Sequence, residues 1–475
     1  MNSYPLEPLF GKIIGPFERF LRQTTAGGIV LMCMTLLTLI VASSPWGDVY
    51  RHLWEMPVRI GIGSWNMEMS LHVWVNEGLM ALFFLLVGLE LKREIMVGEL
   101  ASLSNAVLPV AGALGGMLAP ALIYSLLNHS GPASAGWGVP MATDIAFSVG
   151  ILVLLAWRIP RNLIIFLTAL AIADDLGAVL IIALFYTQTI DMTLLGVAVA
   201  LLSVLVLFNR GGIRHPLPYA VLGVLLWLAL LKSGIHATLA GVLLAFTIPA
   251  RPVYTPRQFD ERLDEMRDAF HAETINCEEI DAPLDVTRMS TIAENLEKAS
   301  SAVQSPQQRM EHHLSPWVTF GVIPLFAMAN GGLDVLAMPF REVIVQPATL
   351  GVILGLVLGK FFGITSFAWL AVKLRLSRLP GGVKWRHILG AAWLGGIGFT
   401  MSLFIGQLAF SGKPALFEEV RIGIIMASLI SAILGLTWLY LSARKPQGPA
   451  VNCSFRAQDS EDEKTVPDQE PGVKR

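Results

Sequence analysis

The sequence predicts an all-α, polytopic membrane protein with about twelve transmembrane helices. Composition is the first reason: of 475 residues, 54% are hydrophobic and only 15% charged, where a soluble chain would carry about a quarter charged residues. The second is segregation. Charges fall in short clusters between apolar runs of about 14 to 24 residues, most of them near the length that crosses a bilayer as a helix. The third is the sparseness and fixed placement of the few charges inside those runs.

Taken in order, the first run, Ile29–Ala42, lacks the small-residue cleavage site of a signal peptide and reads as a retained span. The remaining spans centre near residues 84, 117, 145, 174, 201, 225 and 241, then near 322, 360, 398 and 430. Eight spans thus fall in residues 1–250 and four in 314–444. Between them, residues 251–313, with "FDERLDEMRDAFHAE", are polar and partly heptad-like, and read as a cytoplasmic insertion with some helix. Residues 445–475 carry "DSEDEK" among scattered Pro and Gly, the composition of a disordered tail.

An even number of spans puts both termini on one side. On that side the short segments hold sixteen Lys and Arg, among them Lys12, Arg19, Arg22, Lys92, Arg93, Arg158, Arg161, Lys373, Arg375 and Arg378. The other side holds six: Arg51, Arg59, Lys232, Arg341, Lys413 and Arg421. The positive-inside rule then places both termini in the cytoplasm. A net charge of -2 argues against nucleic acid as a partner, and Cys33, Cys277 and Cys453 have neither metal-like spacing nor a disulfide framework.

Four charges sit near span centres. Asp144 lies in "VPMATDIAF", Asp174 and Asp175 in "LTALAIADDLGAVLII", and Lys360 in "GLVLGKFFGI". At 1.5 Å per residue all four reach a similar membrane depth. Each would cost about 2.5–3.5 kcal/mol facing lipid, so one polar site inside the bundle is the cheaper arrangement. A structural ion pair accounts for one Asp with Lys360 and leaves two acids without a cation. Neighbouring residues on a helix point about 100° apart. One of Asp174 and Asp175 can therefore face Lys360 while the other shares a cavity with Asp144. Two carboxylates in a low-dielectric site hold a proton or bind a cation.

The backbone near these charges is also interrupted. Pro140 removes a helix hydrogen bond four residues before Asp144. "WLGGIGFTMS" places Gly395, Gly396 and Gly398 at the middle of the eleventh span. Broken helices in corresponding halves point to a transporter binding site. No G-x-x-x-x-G-K-[ST] loop occurs, which leaves a gradient rather than ATP as the driving force.

"LFFLLVGLELKREI", "ATDIAF", "LAIADDLGA", "KSGIHATLAG" and "GIGFTMS" together resemble the NhaA family of bacterial sodium/proton antiporters over roughly residues 20–250 and 310–442. The resemblance implies twelve helices with inverted repeats, two of them broken and crossing. It implies a multi-pass protein of the bacterial inner membrane that exchanges Na+, and Li+ with it, for H+, electrogenically and under pH control, with no cofactor. It leaves the oligomeric state open, a homodimer included. By the same resemblance Asp144 and Asp175 bind the ion, with Thr143 beside them at the helix break, and Asp174 partners Lys360. Glu90, Arg93, Glu94, His236, Glu311 and His312 match positions tied to pH response. Read alone, His236 is a local hydrogen-bond partner, "KRE" an interfacial anchor, and the pair His312–His313 lacks a third metal ligand.

Some positions depart from the family pattern. Phe361 stands where Pro is common after the lysine, Ser315 where a histidine is familiar, and His313 is an extra one. About 40 residues before Glu311 are an atypical insertion. These bear on regulation rather than on the ion site. Two rival readings are weaker. An intramembrane aspartyl protease would show a "GxGD" motif, absent here, and has no use for a buried lysine. A cation channel would find adjacent acids beside a lysine a poor conduction path.

Overall fold

In the computed structural model the chain is described over residues 26–442, apart from 63–64, 188–189, 253, 276–285 and 334–339. The expected acidic tail, Cys277, Cys453 and the cations Lys12, Arg19 and Arg22 lie outside the described residues.

Helix α1 (Ala26–Ala42) turns through 111° into α2 (Gly47–Glu55). A two-stranded antiparallel hairpin follows, β1 (Pro57–Ile62) and β2 (Trp65–Ser70), a short addition to an otherwise helical chain. Its residues alternate with a period of two. Arg59 faces Glu68 across the strands at 2.9 Å, while Val58 pairs with Met69 and Ile60 with Met67.

Next come α3 (Leu71–Met96) and α4 (Leu103–Leu127), then a 3-10 segment Pro132–Met141 leading to α5 (Ile145–Leu154). Helices α6 (Arg161–Phe185), α7 (Met192–Arg210), α8 (Pro216–Ser233) and α9 (Leu239–Thr247) complete the first part. After the polar insertion stand α12 (Pro306–Gly331), α13 (Phe340–Ile344), α14 (Pro347–Lys373), α15 (Trp385–Gly395), α16 (Phe399–Ala409) and α17 (Pro414–Ser442). Within the insertion, α10 (Pro256–Ile275) and α11 (Val286–Val303) pack against each other.

Among the described residues nine helices are long and apolar enough to cross a membrane, or up to eleven if each bent pair is one span. All twelve expected centres fall on helical spans or their breaks, but the one near 241 falls on α9, which has only nine residues. At 1.5 Å per residue that is about 14 Å, half of a bilayer core. Such a short helix is tolerable only inside protein. Accordingly Gly241 lies against the backbone of Ala81 and Leu85, and the Lys92 ammonium donates to the terminal carbonyls of Phe246 (2.8 Å) and Ile248.

The insertion is shorter than its polarity suggests. Ser305 and Gln308 form a capping box that starts α12 at Pro306. Glu311 and His312 therefore lie on the first turns of a long helix, not in a loop, and residues 306–313 belong to the span.

Helix α7 is apolar on all sides and buries only Ala198 and Leu205, as a peripheral helix facing lipid does. The opposite case is the contact of α4 with α14. A methyl group on Gly363 would stand 2.1 Å from the Gly115 carbonyl oxygen, and one on Gly115 2.2 Å from that of Gly363. Small residues let the two backbones touch, the usual device where lipid gives helices no hydrophobic drive to associate. This contact fixes the height of Lys360, one turn before Gly363. After Lys373, Arg375 takes a left-handed backbone (φ 59°), and the amides of Arg375 and Leu376 close back on the carbonyls of Val372 and Ala371 at 3.0 Å. That turn is ordinarily made by glycine, and a side chain there costs about 1 kcal/mol.

Gly363→Ala is expected to destabilise the protein by about 1–3 kcal/mol through overpacking, read as a lower melting midpoint in detergent. An unchanged midpoint would show that α4 and α14 can part without loss.

Candidate functional site

Two chain breaks meet inside the molecule. The first is the extended stretch Ala142–Asp144 between the 3-10 segment and α5, two residues beyond Pro140. The second is Gly396–Gly398 between α15 and α16, where the axis bends by 42°. Broken helices leave unpaired N–H and C=O groups, and at this depth no bulk water satisfies them. The two breaks satisfy each other. The Asp144 amide donates to the Ile397 carbonyl at 2.7 Å, and the Thr143 hydroxyl donates to the Gly395 carbonyl at 2.9 Å.

The Asp144 carboxylate supplies the reverse contacts. One oxygen accepts from the Phe147 amide of α5 at 3.0 Å. The other accepts from the Thr400 amide at 3.0 Å and the Thr400 hydroxyl at 2.5 Å. A single buried carboxylate thus caps two helix N-termini, whose partial positive charge favours it. Gly398 makes the crossing possible, since a methyl group there would stand 3.0 Å from the Ala142 carbonyl oxygen.

Helix α6 brings Asp174 and Asp175 to the same region, both fully buried. One Asp174 oxygen is paired with the Lys360 ammonium, itself fully buried. Lys360 follows a π-helical turn, Gly355–Gly359, a distortion frequent at functional sites. Phe361, the residue that departs from the family pattern, stacks on Trp393 of α15 with ring centroids 4.1 Å apart, and so ties the lysine-bearing helix to the broken one.

Asp175 stands differently. Among the described residues neither of its carboxylate oxygens has a hydrogen-bond partner, and one oxygen of Asp174 likewise has none. Asp174, Asp144, Lys360 and Glu90 all lie close enough to act on its charge. A buried carboxylate with both oxygens unpaired is a costly arrangement that calls for a cation or a proton.

The remaining sequence-predicted residues do not form one group. Arg93 bridges Glu311 and, at 3.3 Å, Glu94, and Glu90 lies within electrostatic reach of all three. His312 is exposed beside His313. His236 is bound elsewhere, its ring nitrogen 2.9 Å from the Tyr186 carbonyl oxygen. Because α9 runs against α3 with Gly241 beside Ala81 and Leu85, His236 is level with Glu77, about 20 Å along α3 from Glu90. Sequence reading missed Thr400, whose signal was its place in the first turn after the glycine break. It also missed Glu77, a carboxylate in the π-helical turn Trp74–Leu79 whose one buried oxygen has no hydrogen-bond partner among the described residues.

Two interrupted helices crossing over buried acids define a membrane transporter of the broken-helix type. Comparison narrows the class. Residues 18–439 match the family model described as Na+/H+ antiporter 1, and the chain belongs to that family. It is 62% identical to the Na(+)/H(+) antiporter NhaA of Syntrophobacter fumaroxidans over 444 residues, 94% of each chain. It is 56% identical to that of Acidithiobacillus ferrooxidans over 438 residues, covering 91% of this chain and 99% of the relative. Among solved structures, that of the sodium proton antiporter MjNhaP1 from Methanocaldococcus jannaschii matches at 14% identity with a TM-score of 0.45, over 92% of this chain and 96% of the other.

Lys360→Ala is expected to lower stability by about 3–5 kcal/mol, because it leaves Asp174 as an uncompensated buried charge. Thermal melting in detergent reads the loss. A midpoint equal to that of the native chain would mean the pair holds nothing together.

Proposed function

We propose that this chain is a secondary antiporter that exchanges Na+, and Li+ with it, for H+, with Asp175 and Asp144 as the ion-binding acids. The observation that carries the reading is the fully buried carboxylate of Asp175, without a hydrogen-bond partner among the described residues, beside the acid that ties the two helix breaks together. Sodium is a hard cation suited to oxygen donors. The carboxylates, the hydroxyls of Thr143 and Thr400 and the carbonyls of the breaks offer such donors within one region. The same oxygens accept protons. A site that holds either one sodium or protons, and turns alternately to each side of the membrane, couples the two flows without any other energy source. The names of the relatives agree with this chemistry.

Asp174 and Lys360 serve as the charge-balancing pair next to the site. The cluster of Arg93, Glu94, Glu311 and Glu90 lies at the cation-rich end of α3 and adjusts the pH response, and His236 and His312 act in that response from outside the cluster. The charge bias of the loops supports both termini in the cytoplasm, and the bacterial relatives support a bacterial inner membrane.

Asp144→Asn and Asp175→Asn are each expected to abolish sodium-driven proton flux in everted vesicles while leaving insertion intact. Near-native exchange in either variant would remove that residue from the site. The pH dependence has a defined sign. As pH rises the acids lose protons and are free for sodium; as it falls protons displace the cation. The Michaelis constant for sodium should therefore drop steeply across roughly pH 6 to 9, a range that brackets buried carboxylates. A flat profile with exchange intact would show that the two ions do not compete for these groups.

A further inference from the structure

On the cation-rich face, apart from the acids, the loop after α14 folds over the start of α4 and the first turns of α6. It encloses a cavity of about 680 Å³. The enclosure is held by hydrogen bonds: the Ser377 hydroxyl donates to the Ser104 carbonyl at 3.2 Å and the Asn162 amide to the Gly381 carbonyl at 2.8 Å. Arg375 and Arg378 line it, together with the apolar Pro109 and Phe166. Its single carboxylate, Glu99, already accepts from the Asn105 amide at 3.1 Å. Among the described residues neither arginine has an ion-pair partner.

Two features separate this pair from ordinary surface arginines. A positive-inside bias asks only for charge near the membrane surface, yet Arg375 occupies the left-handed turn where glycine fits best. The side chain stands there against the preference of the backbone. Around the cavity, large apolar side chains face outward, Leu103 85% exposed and Leu374 58%, and Leu376 on the lining itself is 60% exposed. Leucines so placed beside arginines fit the boundary between headgroups and acyl chains rather than open water. Guanidinium groups bind phosphate oxygens through paired N–H donors.

We propose that this cavity binds the phosphate of a phospholipid headgroup, with Arg375 and Arg378 as its cationic ligands. The bound lipid bridges the end of α14, which carries Lys360, to the start of α6, which carries Asp174, and so braces the two helices joined by the buried ion pair.

The test uses the full chain, delipidated in detergent, with melting midpoints read after adding phosphatidylglycerol, a phosphate-free galactolipid or soluble glycerol phosphate. Phosphatidylglycerol should raise the midpoint more than the galactolipid, and glycerol phosphate should do little. Arg375→Gly should keep or raise the lipid-free midpoint, since glycine suits the turn, and lose most of the phosphatidylglycerol increment. Arg378→Gln, which leaves the turn untouched, should lose a similar share. Equal increments in the native chain and both variants would overturn the site. A full increment from glycerol phosphate alone would overturn the lipid and leave a soluble phosphoester as its ligand.

Discussion

The arrangement depends on one constraint: backbone broken inside a membrane must find its hydrogen bonds within the protein. The chain breaks twice, at Ala142–Asp144 and at Gly396–Gly398, and each break supplies what the other lacks. The carbonyls of Gly395, at the end of α15, and of Ile397, in the break, accept from Thr143 and Asp144, and amides at the start of α5 and α16 point at the Asp144 carboxylate. Neither break would be tolerable alone. Their mutual satisfaction sets α5, α15 and α16 around a fixed crossing. It also explains why an acid, and not an amide or hydroxyl, stands at 144: only a carboxylate, an acceptor with two oxygens, suits two helix N-termini at once.

Around that crossing the four buried charges divide their tasks unequally. Lys360 engages Asp174, and Asp144 is bound by backbone amides and Thr400. Asp175 has no such engagement among the described residues. Adjacent residues on one helix point in directions about 100° apart, so a single pair of acids provides both a clamped group and a free one. Placing them on neighbouring turns instead would line both up toward the same partner. The close contact of Gly115 with Gly363 and the stacking of Phe361 on Trp393 hold the lysine at the height where only the first acid meets it.

Much of this was legible in the sequence, for physical reasons. Apolar runs of membrane length and charges at their centres are expensive features, so each announces itself: Asp144, Asp174, Asp175 and Lys360, and the two breaks marked by Pro140 and the glycines. The short helix α9 was read as a full span because hydropathy records burial and not whether lipid or protein surrounds it. The hairpin was overlooked because six-residue strands between long apolar runs carry little weight, although Arg59 opposite Glu68 follows the strand alternation. Residues 306–313 read as part of the polar insertion because composition there is hydrophilic, whereas the capping box at Ser305 settles the helix start locally. What sequence could not give is how the outer charged residues group. Glu311 and Arg93 are far apart in the chain and bonded in space, whereas His236 sits at the other end of α3.

The charge count carries a last consequence for the proposed exchange. With Asp174 balanced by Lys360, two acids remain, Asp144 and Asp175. Two protons neutralise both; one sodium ion neutralises one. The proton-loaded and sodium-loaded sites then differ by one unit of charge, and moving them in opposite directions carries net charge across the membrane. A second lysine at this depth would remove that difference and with it the response to voltage, and a missing one would leave three acids to be neutralised in water-poor surroundings. In the exchange proposed above, one cation among three acids would let the site be emptied by protons, filled by sodium and driven by potential, and that composition rests on where the chain placed Lys360.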